Sequence, residues 1–242
     1  MPAELSRGDT AGLQGGVECI LFDAVGTLIY PEPCVAEAYR GIGAGFGCRG
    51  GVEEINRGFQ QAFAFEEARD GFAGRTSEER ERSRWRNIVL QVFPDATDHD
   101  GLFEALWRHF ADPVNWSVFP DASAGWERLA GAHRLAIASN FDSRLKRICQ
   151  AHPLLASLRD VFVSSELGSR KPSRRFFAEI EARLGISGKQ LLLVGDDLRN
   201  DYQAALDAGW QAILIAREPS PHRAAFQIQS LVELPDLLAA VA

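Results

Sequence analysis

Apolar positions along this chain follow two spacings. Ile20-Leu21-Phe22 is a short continuous apolar run, closed by Asp23 and then by the turn-forming pair Gly26-Thr27. Runs of that kind suit a strand buried on both faces of a parallel sheet. Arg134 to Ala138, Val161 to Val163, Leu191 to Val194 and Ile213 to Ile215 read the same way. Helical spacing lies between them. Asp121 is expected to cap a helix reaching Leu129, and Asp142 a helix carrying Leu145 and Ile148. Pro172 suits the first turn of a helix that runs through Phe176, Ile180 and Leu184 and stops at Gly185. A further helix ends at Gly209, and Leu234 to Val241 closes the chain as another.

From Val35 to Phe110 the period is helical throughout. Stripes through Val35, Tyr39 and Ile42, then Ile55, Phe59 and Phe63, then Trp85, Ile88 and Val92, then Phe103, Leu106 and Phe110 predict four helices. Gly50-Gly51, Gly71 to Gly74 and Pro94-Asp95 separate them. Strands alternating with helices imply right-handed βαβ units and a parallel sheet. The expected class is therefore α/β: a Rossmann-like three-layer core, 17–32 and 113–242, interrupted by an all-α block, 33–112. The Gly-rich, polar stretch 1–16 reads as a frayed leader without the apolar centre of a secretion signal.

Composition narrows the partners. A net charge of -7 supplies no basic field for nucleic acid or an anionic membrane. No apolar run approaches the roughly 18 residues of a membrane span. Cys19, Cys34, Cys48 and Cys149 form no metal or disulfide spacing and fit a reducing, cytoplasmic setting. His99, His109, His133, His152 and His222 share no ligand spacing and receive no role.

Candidate chemistry gathers where strands end. Asp23 follows the first strand, Ser139 the second, Lys171 precedes Pro172, and Gly195-Asp196-Asp197 with Asp201 follows a later strand. Parallel strands present their carboxyl ends to one edge, so these groups can converge. A carboxylate can act as a nucleophile, and two carboxylates can hold a hard cation through oxygen. A hydroxyl and an ammonium can bind phosphoryl oxygens.

Asp23-x-x-Gly26-Thr27-Leu28, Ser139-Asn140, Lys171-Pro172 and Gly195-Asp196-x-x-x-x-Asp201 resemble, in order, the four motifs of the haloacid dehalogenase-like (HAD) hydrolases. The resemblance spans about Val17 to Ile215, and the helical block resembles the cap that family inserts after its first motif. It implies that Asp23 is the nucleophile, forming an aspartyl ester. It further implies that Ser139 binds phosphoryl oxygens and Lys171 stabilises charge at the nucleophile. Asp196 would ligate Mg2+ with Asp23 and the backbone carbonyl of Val25, with Asp201 behind them. Thr27 and Asn140 would support these groups and the substrate. The implied substrate is a small phosphate ester or similar anion. Hinges near Pro31-Glu32-Pro33 and Pro113 to Pro120 would let the cap open and close.

One position departs from the pattern. Phosphatases of the family usually carry a second Asp two residues after the nucleophile, as general acid, and here that residue is Val25. Loss of a general acid costs about 10²–10⁴ in rate, least for leaving groups that depart unprotonated. A slow phosphatase biased towards acyl or aryl phosphates is expected. The alternatives are a catalytically impaired binding or regulatory protein, and a metal-independent 2-haloacid dehalogenase, whose halide needs no proton. Against the last, Gly195-Asp196-Asp197 favours a metal. Asp197 and Asp201 could instead be helix-start acids. The Arg80-Glu81-Arg82-Ser83-Arg84-Trp85-Arg86 run reads as a solvated mixed-charge face rather than an anion site. Phe59, Phe63, Trp85 and Trp107 read as core of the helical block rather than a stacking platform.

Overall fold

The computed structural model describes residues 13, 16–69, 74–218 and 224–241. The frayed-leader expectation and His222 fall outside this set, apart from residues 13 and 16. β1 (Cys19–Phe22) leads to β2 (Ile29–Pro31). The helical block follows as α1 (Val35–Ala44), α2 (Val52–Arg69), α3 (Glu78–Val92) and α4 (His99–His109). The chain returns through β3 (Trp116–Val118), α5 (Pro120–Ala124), α6 (Trp126–Ala132) and β4 (Arg134–Ser139). Next come α7 (Arg144–Ala151), α8 (Pro153–Ala156), β5 (Asp160–Val163), α9 (Ser164–Leu167) and α10 (Arg174–Leu184). β6 (Leu191–Gly195), a π-helical turn Leu198–Gln203, α11 (Ala204–Ala208), β7 (Gln211–Ile215), β8 (Gln227–Ile228) and α12 (Leu234–Val241) complete the order.

The main sheet runs β5-β4-β1-β6-β7-β8, with every pair parallel. β1 lies at its centre, Phe22 opposite both Ile137 and Val194. Alternation divides its side chains between two layers. Ile20 and Phe22 pack with Ile137, Val194, Leu145, Ile148 and Trp126 on one face. Cys19 and Leu21 pack with Ala138, Leu193, Phe176, Phe177 and Ile180 on the other. Because helices cover both faces, the strand reads as unbroken apolar sequence. The fold is thus a Rossmann-like three-layer α/β core with an inserted all-α block. The block has its own core of Tyr39, Ile55, Val89, Phe93, Leu102 and Leu106.

Local departures from the sequence reading have identifiable causes. β2 and β3, the two arms of the chain entering and leaving the helical block, pair antiparallel with Ile29 opposite Val118. Three-residue strands are too short to show a period, so the expected linkers carried no strand signal. Asp121 does not cap its helix: α5 starts at Pro120, and the Asp121 carboxylate is drawn off by Arg217, the Ser230 hydroxyl and the Leu231 N–H. The helix expected through Leu129 is also broken at Gly125. Ser143 sits at the N-cap position of α7 without a side-chain bond, and Asp142, one residue earlier, accepts from the Arg144 N–H at 3.1 Å while also holding the Arg144 guanidinium at 2.7 Å. Pro172 precedes the N-cap residue Ser173 and so stands before α10 rather than in its first turn.

Candidate active site

Each motif delivers its side chain to the carboxyl edge of the sheet. The ladder continues one residue past β1, the Asp23 N–H donating to Val194 O at 2.9 Å, and this sets Asp23 beside the end of β6. The following turn is closed by Leu28 N–H and Ile29 N–H, both donating to Ala24 O. Gly26 takes φ +87° in it, and a Cβ there would lie 2.3 Å from Asp196 Oδ2. Gly195 is constrained in the same way, since its Cβ would meet the Asp201 carboxyl carbon at 2.3 Å. Each glycine therefore makes room for one aspartate.

Lys171 lies at the centre of the floor. Its Nζ donates to Asp23 Oδ1 at 2.6 Å, Asp201 Oδ1 at 2.5 Å and Ala138 O at 2.9 Å, which uses all three ammonium protons. Burial alone would lower the pKa of Lys171, but the charges and hydrogen bonds of Asp201 and Asp23 outweigh it and raise the pKa above that of an ordinary lysine. The side chain therefore stays cationic although only 2% of its surface is exposed. Asn140 brackets its main chain: Lys171 N–H donates to Asn140 Oδ1 at 2.8 Å, and Asn140 Nδ2 donates to Lys171 O at 3.0 Å.

Against one ammonium stand three acids, Asp23, Asp196 and Asp201, with carboxylate oxygens within 4.8 Å of one another. Asp196 remains open to solvent at the cleft surface, yet protein surrounds it on most sides. That burial, with the charges of Asp23 and Asp201, pushes its pKa up to about 7. Thr27, fully buried, donates to Asp196 Oδ1 at 3.1 Å. Asp201 is lifted as well, to about 6, first by burial, with the Lys171 ammonium opposing. Its Oδ2 accepts from Asp197 N–H at 3.0 Å. Asp197 takes the helix-start role, accepting from Arg199 N–H and Asn200 N–H at 2.8 Å each. Excess acid and hard oxygen donors are the chemistry that suits a small divalent cation.

A cavity of about 370 Å³ opens above this floor. Asp23, Val25, Ser139, Asn140, Lys171, Asp196 and Asp201 all line it, so it reaches seven of the eight singled-out positions, Thr27 lying behind Asp196. Several of its lining residues carried no site signal in the sequence. Phe59, Phe63, Trp85 and Trp107 are half-buried and present surface to the cavity; Phe59, Trp85 and Trp107 also pack on the helical core, and Phe63 packs on Phe59 and Trp85. The arginine run divides. Arg82 and Arg86 form exposed pairs with Glu104 and Asp100, whereas Arg84 is buried in the cavity wall, paired with Glu67 and 3.9 Å from Glu81. Arg170 also pairs with Glu67, and so joins the core to α2. Arg217 was missed as well. Its Nη2 donates to Thr27 O at 2.7 Å and its Nη1 pairs with Asp121 at 2.5 Å, so it props the turn after Asp23 from the end of β7. Its position just past a strand end was the available signal.

The family model for haloacid dehalogenase-like hydrolases matches residues 17–209. The chain is similar to the zebrafish (Danio rerio) haloacid dehalogenase-like hydrolase domain-containing protein 3, at 25% identity over 234 residues, covering 90% of this chain and 95% of that protein. It is also similar to ribulose-1,5-bisphosphate 5-phosphatase of Halopiger xanaduensis, at 27% identity over 243 residues, covering 90% of this chain and 98% of that one. Among solved structures, the magnesium-bound HAD-hydrolase YfnB of Bacillus subtilis superposes with a TM-score of 0.77 at 18% identity, covering 92% of this chain and 99% of that one.

Proposed function

This chain belongs to the haloacid dehalogenase-like hydrolases, and from that premise we propose that it is a magnesium-dependent phosphatase of a small phosphorylated metabolite. Asp23 is the nucleophile in this reading. The observation that carries it is the Lys171 ammonium held between Asp23 and Asp201 with Asp196 alongside, because that set leaves more acid than lysine can neutralise. Asp23, Asp196 and the backbone carbonyl of Val25 would hold Mg2+, which when bound supplies charge neutralisation for the phosphoryl group. The helical block, 33–112, is a cap in this reading, hinged at the β2–β3 arms over the core formed by 17–32 and 113–242.

The chain's own groups do the rest. Lys171 fixes Asp23 Oδ1 at 2.6 Å and leaves Oδ2 to attack phosphorus. The bond between phosphorus and the leaving oxygen breaks, and that oxygen takes the electron pair. Ser139, at the end of β4, binds the phosphoryl oxygens, a placement supported by the cavity it shares with Asp23, while Lys171 balances the charge at Asp23. Asn140 holds the Lys171 main chain in place, and Thr27 holds Asp196. Water then attacks the aspartyl-phosphate at phosphorus, restoring the Asp23 carboxylate and leaving both water protons on inorganic phosphate.

Val25 lines the cavity where a general acid would stand, and its side chain has no proton to give. Turnover is therefore slow and favours leaving groups stable as anions, the acyl and aryl phosphates. In a 2-haloacid dehalogenase the same excess of acid would repel the substrate carboxylate, which counts against that alternative. The experiment is phosphate release from 4-nitrophenyl phosphate and from an alkyl phosphate, with Asp23→Asn as control. The aryl ester is expected to turn over at least about 10²-fold faster. Equal rates would sink the leaving-group argument, and activity retained by Asp23→Asn would sink the nucleophile.

A further inference from the structure

The walls of the cavity differ from its floor in a way that specifies the leaving group. Phe59, Phe63 and Trp85, from α2 and α3, form a triangle with ring centroids 6.0 Å, 6.3 Å and 6.1 Å apart. All three are half-buried and line the cavity. Trp107, which also lines the cavity, carries the Arg144 guanidinium 3.4 Å from its ring centroid. Rings at such spacings already pack on one another, and the surface they leave to the cavity can take a further ring in offset or edge contact.

Charge on these walls is already balanced. Arg84 pairs with Glu67 and faces Glu81, Arg170 pairs with Glu67, and Arg144 holds Asp142. Glu81 is itself anchored by the Thr76 hydroxyl at 2.6 Å. A second anionic group on the substrate would find each of these arginines engaged by a carboxylate. Arg84 Nε has no partner but is itself buried, so to gain a full ionic partner such a group would have to draw an arginine out of a buried ion pair, which is costly. The cation on the floor, Lys171, serves the phosphoryl end. The volume, about 370 Å³, falls within the range of small-molecule sites.

We propose that the aromatic wall of this cavity receives an uncharged planar aromatic leaving group, so that the substrate is the phosphate ester of an aromatic or heteroaromatic hydroxyl compound with no second anionic group. The inference rests on the phosphatase reading for the position of the phosphoryl end. It also fits Val25 chemically, since a phenolate departs without a donated proton far more readily than an alkoxide. Acyl phosphates satisfy that requirement equally, and the aromatic wall is what separates the two.

The test is equilibrium binding by calorimetry on the full chain with magnesium present, using stable phosphonates in place of esters. Benzylphosphonate, in which a methylene replaces the ester oxygen of phenyl phosphate, is expected to bind at least tenfold more tightly than methylphosphonate. That ratio is expected to fall towards one in Phe63→Leu, whose folding is checked by its melting curve. 4-Carboxybenzylphosphonate is expected to bind more weakly than benzylphosphonate. Equal affinity for the benzyl and methyl compounds, or binding of neither, overturns the aromatic proposal. Tighter binding of the carboxylated compound overturns its uncharged part. These outcomes are independent of catalysis. The phosphatase reading fails separately, if no phosphate ester or acyl phosphate gives Asp23-dependent release of phosphate.

Discussion

On the floor of the cavity Lys171 Nζ touches three oxygens within 2.9 Å, whereas on the helical wall Phe59, Phe63 and Trp85 stand about 6 Å apart by ring centroid and are half-buried. Asp23, Ser139 and Asp196 stand at or just past strand ends, where the parallel ladder fixes main-chain positions, and Asp23, Asp196, Asp201 and Lys171 are held by hydrogen bonds. Wall groups come from helix faces packed by shape. A buried polar network has one good arrangement, because a half-satisfied one is worse than none. A surface of rings accepts many related shapes. The floor is therefore suited to fix the chemistry and the wall to choose the substrate.

The largest expected effect breaks the floor. Lys171→Met leaves Asp23 and Asp201 buried without their cation, and should lower stability by about 3–5 kcal/mol. Turnover should fall by at least about 10²–10³. Denaturant unfolding and steady-state kinetics measure the two, and a stable, active variant would show that the ammonium does not organise the site.

Next in size is a gain. Val25→Asp places a proton donor where the cavity wall meets the floor, and should raise alkyl phosphate hydrolysis by about 10²-fold while changing 4-nitrophenyl phosphate little. If both substrates respond alike, the missing acid is not what limits the native chain.

A smaller effect is expected from pH. A cation must displace the proton from Asp196, whose pKa in the fold is raised to about 7. Apparent magnesium affinity should therefore rise with pH, by about tenfold per unit below pH 7, and level off above it. Calorimetric titration at pH 6, 7 and 8 checks this, and an affinity that fell as pH rose would remove Asp196 from the metal site.

The smallest effect belongs to the outer surface of the same helix that supplies the wall. Arg86→Ala removes an exposed pair with Asp100 and should leave stability nearly unchanged and substrate binding unchanged. A large loss of phosphonate affinity would mean that the outer face of α3 shapes the wall.

Much of the floor was legible in the sequence because its signals are local. An apolar run ending in Asp23, a glycine next to Asp196 and a lysine before Pro172 each report a strand end or a turn. The reason for the glycines was not legible. Gly26 is needed because Asp196 approaches it from a distant part of the chain, and Gly195 because the chain folds Asp201 back onto it, each to 2.3 Å from where a Cβ would lie. The wall was read as core for an equally physical reason. Helical spacing marks which residues share a face, but a face that lines a cavity and one packed in a core have the same period. Arg84 was read as one of a solvated run for the same reason, since sequence shows mixed charge without showing which arginine turns inward.

By itself the sequence determined the alternation of strands and helices, the inserted helical block and the order of the polar residues at strand ends, since period and turn chemistry act over a few residues. Only the tertiary structure decided that Lys171 spans Asp23 and Asp201, that the arms around the block pair as β2 and β3, and that Arg217 props the turn after Asp23. Those contacts join residues 30 to 190 positions apart. Whether such groups meet depends on how the sheet orders its strands, and that order follows from burying both faces of the sheet at once.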